Sequence, residues 1–477
     1  MTCSFRAAVV MVAAFILAGL PALPGQAAES GGMTMMNSVD AALAYNPELK
    51  SVQEGREMSV HGVTRARAEY LPKVTAFAGG GVSRRSDSNL RPVDEQDSFR
   101  GIADAGIRLT QPLFHGFGIK YAVEGSEARL RASDYRLEDH GVTTVFNAII
   151  AHTDVVRRRA LVEHAKKNVD EHAGILRTVQ QRFDTGVATT GELNQIRSRH
   201  ARAKATFLSY ESALDAAMAN YVRVTGKRPP MLRATPAPKL LFKGLVEVRD
   251  RTINNNPLIK GLLADIASYQ SEKGQMKSRF YPQFDLAVGP TWSDRDSKAS
   301  QNTRDFVGEV RVNWEFFSGG ADLAGLDMSN AKIRQGRQNL HALMDSLNED
   351  IESTYSRFIK AEGEVREYTA AKKASRAARE DYYRQFLAAQ RSLIDVLDAE
   401  NDFFYAVSQE VLSRTDRVLA AYRLLALAGE LLPELHLTPQ MLRALGPTTD
   451  IRAPQMLHDL NSPLLKNSSN GKARIAK

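Results

Sequence analysis

Two stretches of roughly 65 residues, Gly118 to Phe183 and Ala321 to Phe386, contain no proline. As continuous helix each would reach about 100 Å, far longer than a globular domain of this size can use. One constant offset of about 203 residues relates them. It places Phe114 on Phe317 and Phe183 on Phe386, and carries Arg182-Phe183-Asp184-Thr185-Gly186-Val187 onto Gln385-Phe386-Leu387-Ala388-Ala389-Gln390 without a gap. Upstream, Asn46-Pro47-Glu48-Leu49 matches Asn256-Pro257-Leu258-Ile259, and Tyr70-Leu71-Pro72 matches Phe280-Tyr281-Pro282. The chain is therefore an internal duplication, and only the segment between Pro72 and Phe114 changed length.

The apolar spacing says what these rods pack against. In the second, Leu340, Leu343, Leu347, Ile351, Thr354, Phe358, Ala361, Val365 and Tyr368 recur about every 3.5 residues, the period of a coiled-coil seam. In the first, Val162, Ala165, Val169, Leu176, Val179 and Phe183 follow the same rule. A short tip follows each rod, Asp184 to Thr190 or Leu387 to Ser392. A returning helix of about 35 to 40 residues then ends near Gly226 or Gly429. A helix of about 30 residues precedes each rod's strands, running from about Val39 to Ala68 in the first repeat and ending where Tyr70-Leu71-Pro72 forbids its continuation. The two shorter helices of a repeat nearly sum to one rod, so stacked end to end they can line it.

Between the short helix and the rod the period changes to two. From Val74 to Ser83 and from Phe99 to Phe114 apolar residues alternate with small or polar ones: Ala103, Ala105, Ile107 and Leu109 against Asp104, Gly106, Arg108 and Thr110. A polar loop from Arg84 to Ser98 joins these strands. The second repeat places Phe284, Leu286, Val288 and Trp292 before a loop near Asp294 to Thr303. After it, Phe306, Val310, Val312 and Trp314 alternate with Val307, Glu309, Arg311 and Asn313. Strands of about 10 to 13 residues with aromatics near their ends carry the pattern of a membrane barrel. Four strands cannot close one, and an open edge cannot sit in lipid, so a chain that crosses a membrane this way must oligomerise.

Residues 1–27 read as a signal peptide: one basic residue, an apolar run from Ala7 to Leu20, and Gly25-Gln26-Ala27 before the cut. The only cysteine, Cys3, lies ahead of that run, which leaves no thiol for a disulfide, a zinc-thiolate site or a lipid-modified N-terminus. The net charge of +8 is distributed along helices with acids between the bases, as in Arg376-Ala377-Ala378-Arg379-Glu380-Asp381, which describes a solvated face and not a nucleic-acid surface. The expected divisions are a first repeat over 28–228 with its hairpin at about 70–114, a linker over 229–245, and a second repeat over 246–432 with its hairpin at about 281–317. A tail over 433–477 follows, apolar enough for a short packed helix up to Leu445 and polar from Asn461 onward.

With the duplicated plan, both hairpins and the tip sequence in place, the chain resembles the TolC family of outer-membrane channels from about Val39 to Leu432. The most specific piece is Arg391-Ser392-Leu393-Ile394-Asp395-Val396-Leu397-Asp398-Ala399-Glu400-Asn401, followed by Asp416-Arg417-Val418-Leu419-Ala420-Ala421-Tyr422-Arg423-Leu424-Leu425. The resemblance implies an α+β membrane protein: three copies give four strands each to one barrel, continued by an α-helical coiled-coil tunnel through the periplasm of a Gram-negative cell. It implies a passive conduit, no enzyme and no cofactor or metal. Its partners would be outer-membrane lipid, a periplasmic adaptor and an inner-membrane transporter, of ABC type for type I protein secretion or of RND type for drug efflux. Within the family, the C-terminal helix and the missing lipobox resemble the type I secretion subgroup, including partners of large surface adhesins. Multidrug efflux remains an alternative. A periplasmic coiled-coil adaptor without a pore is a rival of another class, though it has no use for two β-hairpins.

Asp395 and Asp398 stand three apart on one helix face, so around a threefold axis they would repeat as a ring of acids that favours cations. Arg391, a turn earlier, either pairs with Asp395 alone or takes part in a gate. The resemblance implies the gate: Arg391 in contact with Glu192 and neighbouring tip groups, the acids lining the periplasmic entrance, and Phe386 at the family's gate-tyrosine position without its hydroxyl. Docking onto the adaptor falls to the tips, Gly186 and Val187 in the first repeat and Ala389 and Gln390 in the second. Ala389 replaces the family's tip glycine, so that turn must avoid a left-handed conformation or bear its strain. Elsewhere Gly116-Phe117-Gly118 lacks the third glycine of a dinucleotide motif. His164 and His172 are too far apart for a metal pair, and His172 falls on the seam.

Overall fold

The computed structural model of the chain describes residues 32–84, 99–239, 242, 244–295 and 301–444. The expected signal peptide, the polar loop after Arg84 and the tail from Asn461 lie outside the described residues. The first repeat runs α1 (Met35–Tyr45), α2 (Pro47–Ala68), β1 (Lys73–Arg84), β2 (Phe99–His115), α3 (Gly118–Asp184) and α4 (Thr190–Thr225). The second runs α5 (Leu245–Asn255), α6 (Pro257–Ser278), β3 (Gln283–Arg295), β4 (Gln301–Asn313), α7 (Ala321–Leu387) and α8 (Leu393–Leu427), before the short α9 (Leu431–Glu434) and α10 (Pro439–Ala444).

Where one helix was expected ahead of each hairpin there are two. Pro47 and Pro257 lack the N–H that would continue the preceding turn, so each can only be the first residue of a new helix. The asparagine before each proline caps that new helix: Asn46 Oδ1 accepts from Glu48 N at 2.8 Å, and Asn256 Oδ1 from Leu258 N at 2.9 Å. Asn256 also donates to Leu427 O of α8 at 2.9 Å, which fixes the break against the second coil.

The hairpins join into one antiparallel sheet, order β1-β2-β3-β4. Its register pairs Val74 with Leu109, Leu109 with Val288, and Leu286 with Val310. Paired residues share a face, so Val74, Ile107, Leu109, Val288, Val310 and Val312 line one side, while Thr75, Asp104, Arg108, Ser293 and Glu309 line the other. The apolar side is bare: Val74 is 67% exposed and Val310 59%. β3 and β4 run past the loop expected near Asp294 to Thr303, with strand to Arg295 and again from Gln301. Polar side chains do not end a strand whose backbone groups keep pairing, here Asp294 with Asn302.

The two rods have equal length, 67 residues, but unequal surroundings. α3 is lined by α4 toward its tip and by α2 and α6 toward the sheet, with α8 against its flank. α7 meets α8, α6 and α5. α3 accordingly buries twenty residues and α7 eight, so one flank of α7 has no neighbour among the described residues. The expected α7 seam is present, with Leu347, Ile351, Thr354 and Ala361 buried. On α3 the buried stripe is Leu161, Ala165, His172, Ile175 and Val179, and the expected Val162, Leu176 and Phe183 sit half-buried beside it. Packing against α8 as well as α4 widens that stripe. The main core lies near the middle of the rods, where Val145, Ala148, Ile149, Tyr221, Leu425 and Leu431 meet. The short helix expected before Leu445 is α10, whose Leu442 packs on Gly141.

Candidate functional site

Both tips close with the same backbone. After α3, Thr185 (φ −90°) leads to Gly186 (φ 79°), and Val187 N donates to Arg182 O at 2.8 Å. After α7, Ala388 (φ −81°) leads to Ala389 (φ 60°), and Gln390 N donates to Gln385 O at 2.9 Å. This six-to-one bond with a left-handed residue satisfies the orphan carbonyls of a helix end. Ala389 therefore takes the left-handed conformation that Gly186 adopts without penalty, at about 1 to 2 kcal/mol. The next helices start alike. Thr189 Oγ1 accepts from Glu192 N at 3.2 Å, and Ser392 Oγ accepts from Asp395 N at 3.4 Å.

The side chains differ. Glu192 completes a capping box, its carboxylate accepting from Thr189 N at 2.7 Å. Within one protomer it is thus committed to its own helix and does not join Arg391. Arg391 stacks on the Tyr382 ring at 3.9 Å, donates from Nε to Gln385 Oε1 at 2.9 Å, and stands 3.7 Å from Asp395 Oδ2. Asp395 Oδ2 also accepts from Ser392 Oγ at 2.8 Å. Asp398 pairs instead across to the first hairpin, with Arg199 Nη2 at 3.0 Å. Phe386 is only 4% exposed: it lies inside the tip, beneath the Arg182 guanidinium at 4.6 Å, and its carbonyl accepts from Arg182 Nη1 at 3.2 Å. It belongs to a cluster with Ile175, Val179, Leu193, Ile196, Leu393 and Val396 that fastens the two hairpins together. Gly186, Val187, Ala389 and Gln390 form the exposed outer rim.

Arg182 and Arg199, which hold the second tip from the first, were not singled out from the sequence. A signal existed: the offset sets Arg182 opposite Gln385 and Arg199 opposite Asp402. A changed charge at aligned positions of a duplication marks a place where the halves have separate tasks. Also missed was Glu400, read only as part of a motif. It is buried on α8, 3.6 Å from Arg379 Nε, and lines a cavity of about 340 Å³ with Phe403, Asn168 and Glu171. Burial outweighs Arg379 and pushes its carboxyl up to about 7. Burial likewise lowers the pKa of His172, which faces His200 and Arg199. The arrangement places charges at one end of a helical bundle. No described helix is long and apolar enough to cross a membrane.

Residues 38–227 and 248–430 match the family model described as outer membrane efflux protein. The outer membrane efflux protein BepC of Brucella suis biovar 1 is 25% identical over 434 residues, 90% of this chain and 91% of that one. The alkaline protease secretion protein AprF of Pseudomonas aeruginosa is 22% identical over 415 residues, 83% of this chain and 84% of its own length. Among solved structures, CusC superposes with a TM-score of 0.74 at 14% identity, covering 83% of this chain and 92% of that one.

Proposed function

The chain belongs to the outer membrane efflux protein family, and from that premise we propose that three copies build one conduit for type I protein secretion. As a family member it is an outer-membrane channel that reaches into the periplasm and performs no chemical conversion. The observation that carries the oligomeric reading is the coincidence of open edges. Among the described residues β1 and β4 each lack one neighbour, and the bare flank of α7 follows directly from β4. A β4 edge that pairs with β1 of the next copy satisfies both, and brings that flank against the neighbour's first repeat.

In the assembled channel Asp395 and Asp398 line the periplasmic entrance, and contacts of Arg391 and Glu192 between copies hold it closed. The exposed rim of Gly186, Val187, Ala389 and Gln390 receives a periplasmic adaptor. An inner-membrane transporter of ABC type supplies the energy. Secretion as the task is supported by the C-terminal helix from Asp416 to Leu425 and by the likeness to AprF, named for alkaline protease secretion. The likeness to BepC favours a second reading, drug efflux with an RND transporter. A strain lacking this chain distinguishes them. Loss of a large secreted or surface protein with unchanged susceptibility to dyes, detergents and antibiotics is the expected result. Hypersensitivity with an intact secretome overturns the secretion reading in favour of efflux.

A further inference from the structure

We propose that Arg199 sets the ion preference of the periplasmic entrance by masking Asp398. The proposal rests on the reading above that Asp395 and Asp398 line that entrance. The two acids are three residues apart on α8, yet the structure treats them differently. Asp395 is held by its own helix start, through Ser392, and stands 3.7 Å from Arg391, whose guanidinium is shared with Gln385 and the Tyr382 ring. Asp398 lies on the exposed stripe of α8 with Ile394, Asn401, Asp402 and Tyr405, and meets a cation from the other hairpin at 3.0 Å. That cation is more sheltered than its partner: the Arg199 side chain is 29% exposed and that of Asp398 59%.

A full opposite charge in hydrogen-bond contact turns an acid into a dipole, whose field on a passing ion falls off much faster than that of a lone charge. At physiological salt the remainder is screened within about 8 Å. Each copy therefore presents Asp395 with an arginine at 3.7 Å, beyond hydrogen-bond reach, and Asp398 in a hydrogen-bonded ion pair at 3.0 Å. The pairing is a product of divergence after the duplication: the second repeat carries Asp402 where the first carries Arg199, and the first carries Gln195 where the second carries Asp398. A ring of acids attracts cations in proportion to its net charge, and Arg199 removes the share that Asp398 would add.

The test is the reversal potential of the purified full-length channel in a planar bilayer under a potassium chloride gradient, at low ionic strength. Arg199→Gln is expected to raise the cation-to-anion permeability ratio by about twofold or more, because three acids are unmasked at one constriction. Arg199→Lys should keep the parent ratio, and Arg199→Gln with Asp398→Asn should return to it. An unchanged ratio in Arg199→Gln, alongside a lowered ratio in Asp395→Asn/Asp398→Asn, overturns the masking while leaving the entrance reading intact. An unchanged ratio in Asp395→Asn/Asp398→Asn means that the acids do not line the entrance, and the underlying reading fails instead. A gain in Arg199→Gln that survives the added Asp398→Asn also overturns the proposal, since the arginine then acts through another group.

Discussion

The two hairpin tips are copies in backbone and opposites in charge. Each ends its rod on a left-handed residue, caps the next helix with a hydroxyl, and places an acid at the third helical position. From there they diverge. The first tip supplies Arg182 and Arg199, and the second supplies the groups those arginines hold, Phe386 and Asp398. Duplication thus preserved what the main chain needs, while side-chain changes turned two equivalent hairpins into a donor and an acceptor. A fold can be inherited twice and its function still reside in the differences between the copies.

The largest test of that asymmetry is at the aligned phenylalanines. Phe386 is buried between the hairpins, whereas Phe183 is half-buried. Phe386→Ala should lower the protection of tip amides in hydrogen exchange by about 3 to 4 kcal/mol, and Phe183→Ala by clearly less. Equal losses would mean that the tips share their core evenly.

A second contrast is Glu400 against its aligned residue Arg197, which reaches only Gln180 on the surface. The raised pKa of Glu400 means that the folded state binds its proton more tightly than the unfolded chain. Its stabilising contribution is present below the ordinary glutamate value of 4.5 and is lost as pH rises through about 7. Protection in the second coil should fall over that window by on the order of 2 to 3 kcal/mol. Glu400→Gln should flatten the dependence, and Arg197→Gln should leave it unchanged.

Smaller effects test the clasp and the turns. Arg182→Ala removes a ring contact and a hydrogen bond to the Phe386 carbonyl, and should weaken tip protection by about 1 to 2 kcal/mol. The aligned change Gln385→Ala should affect only the support of Arg391. At the left-handed positions the signs should be opposite: Ala389→Gly stabilises and Gly186→Ala destabilises, each by about 1 kcal/mol. If both substitutions destabilise, Ala389 is held by contacts that outweigh its backbone strain.

Much of this was legible in the sequence because the governing signals are local. Absence of proline and a 3.5-residue period set the rods, and the expected end at Phe183 falls one residue short of the observed Asp184. Alternation gave the strands, though polar Asp294 and Asn302 were read as loop and are strand. The helix breaks at Asn46 and Asn256 were also local, but the Asn-Pro pairs were read as markers of the repeat and not as caps. What could not be read were the contacts between repeats. That Arg199 finds Asp398, or that Arg182 bonds the Phe386 carbonyl, depends on how two coils pack about 200 residues apart in the chain, and no periodicity within either coil encodes it.

Among the described residues one protomer leaves two sheet edges unpaired and one flank of a rod bare, for further copies to cover. Native mass spectrometry of the full-length chain extracted in detergent, without heating, tests this most directly. The account predicts a species of three copies that conducts ions when transferred to a planar bilayer. A stable single copy that stays soluble once detergent is removed would contradict it, because the exposed apolar face and the unpaired strands would then have to be satisfied within one chain.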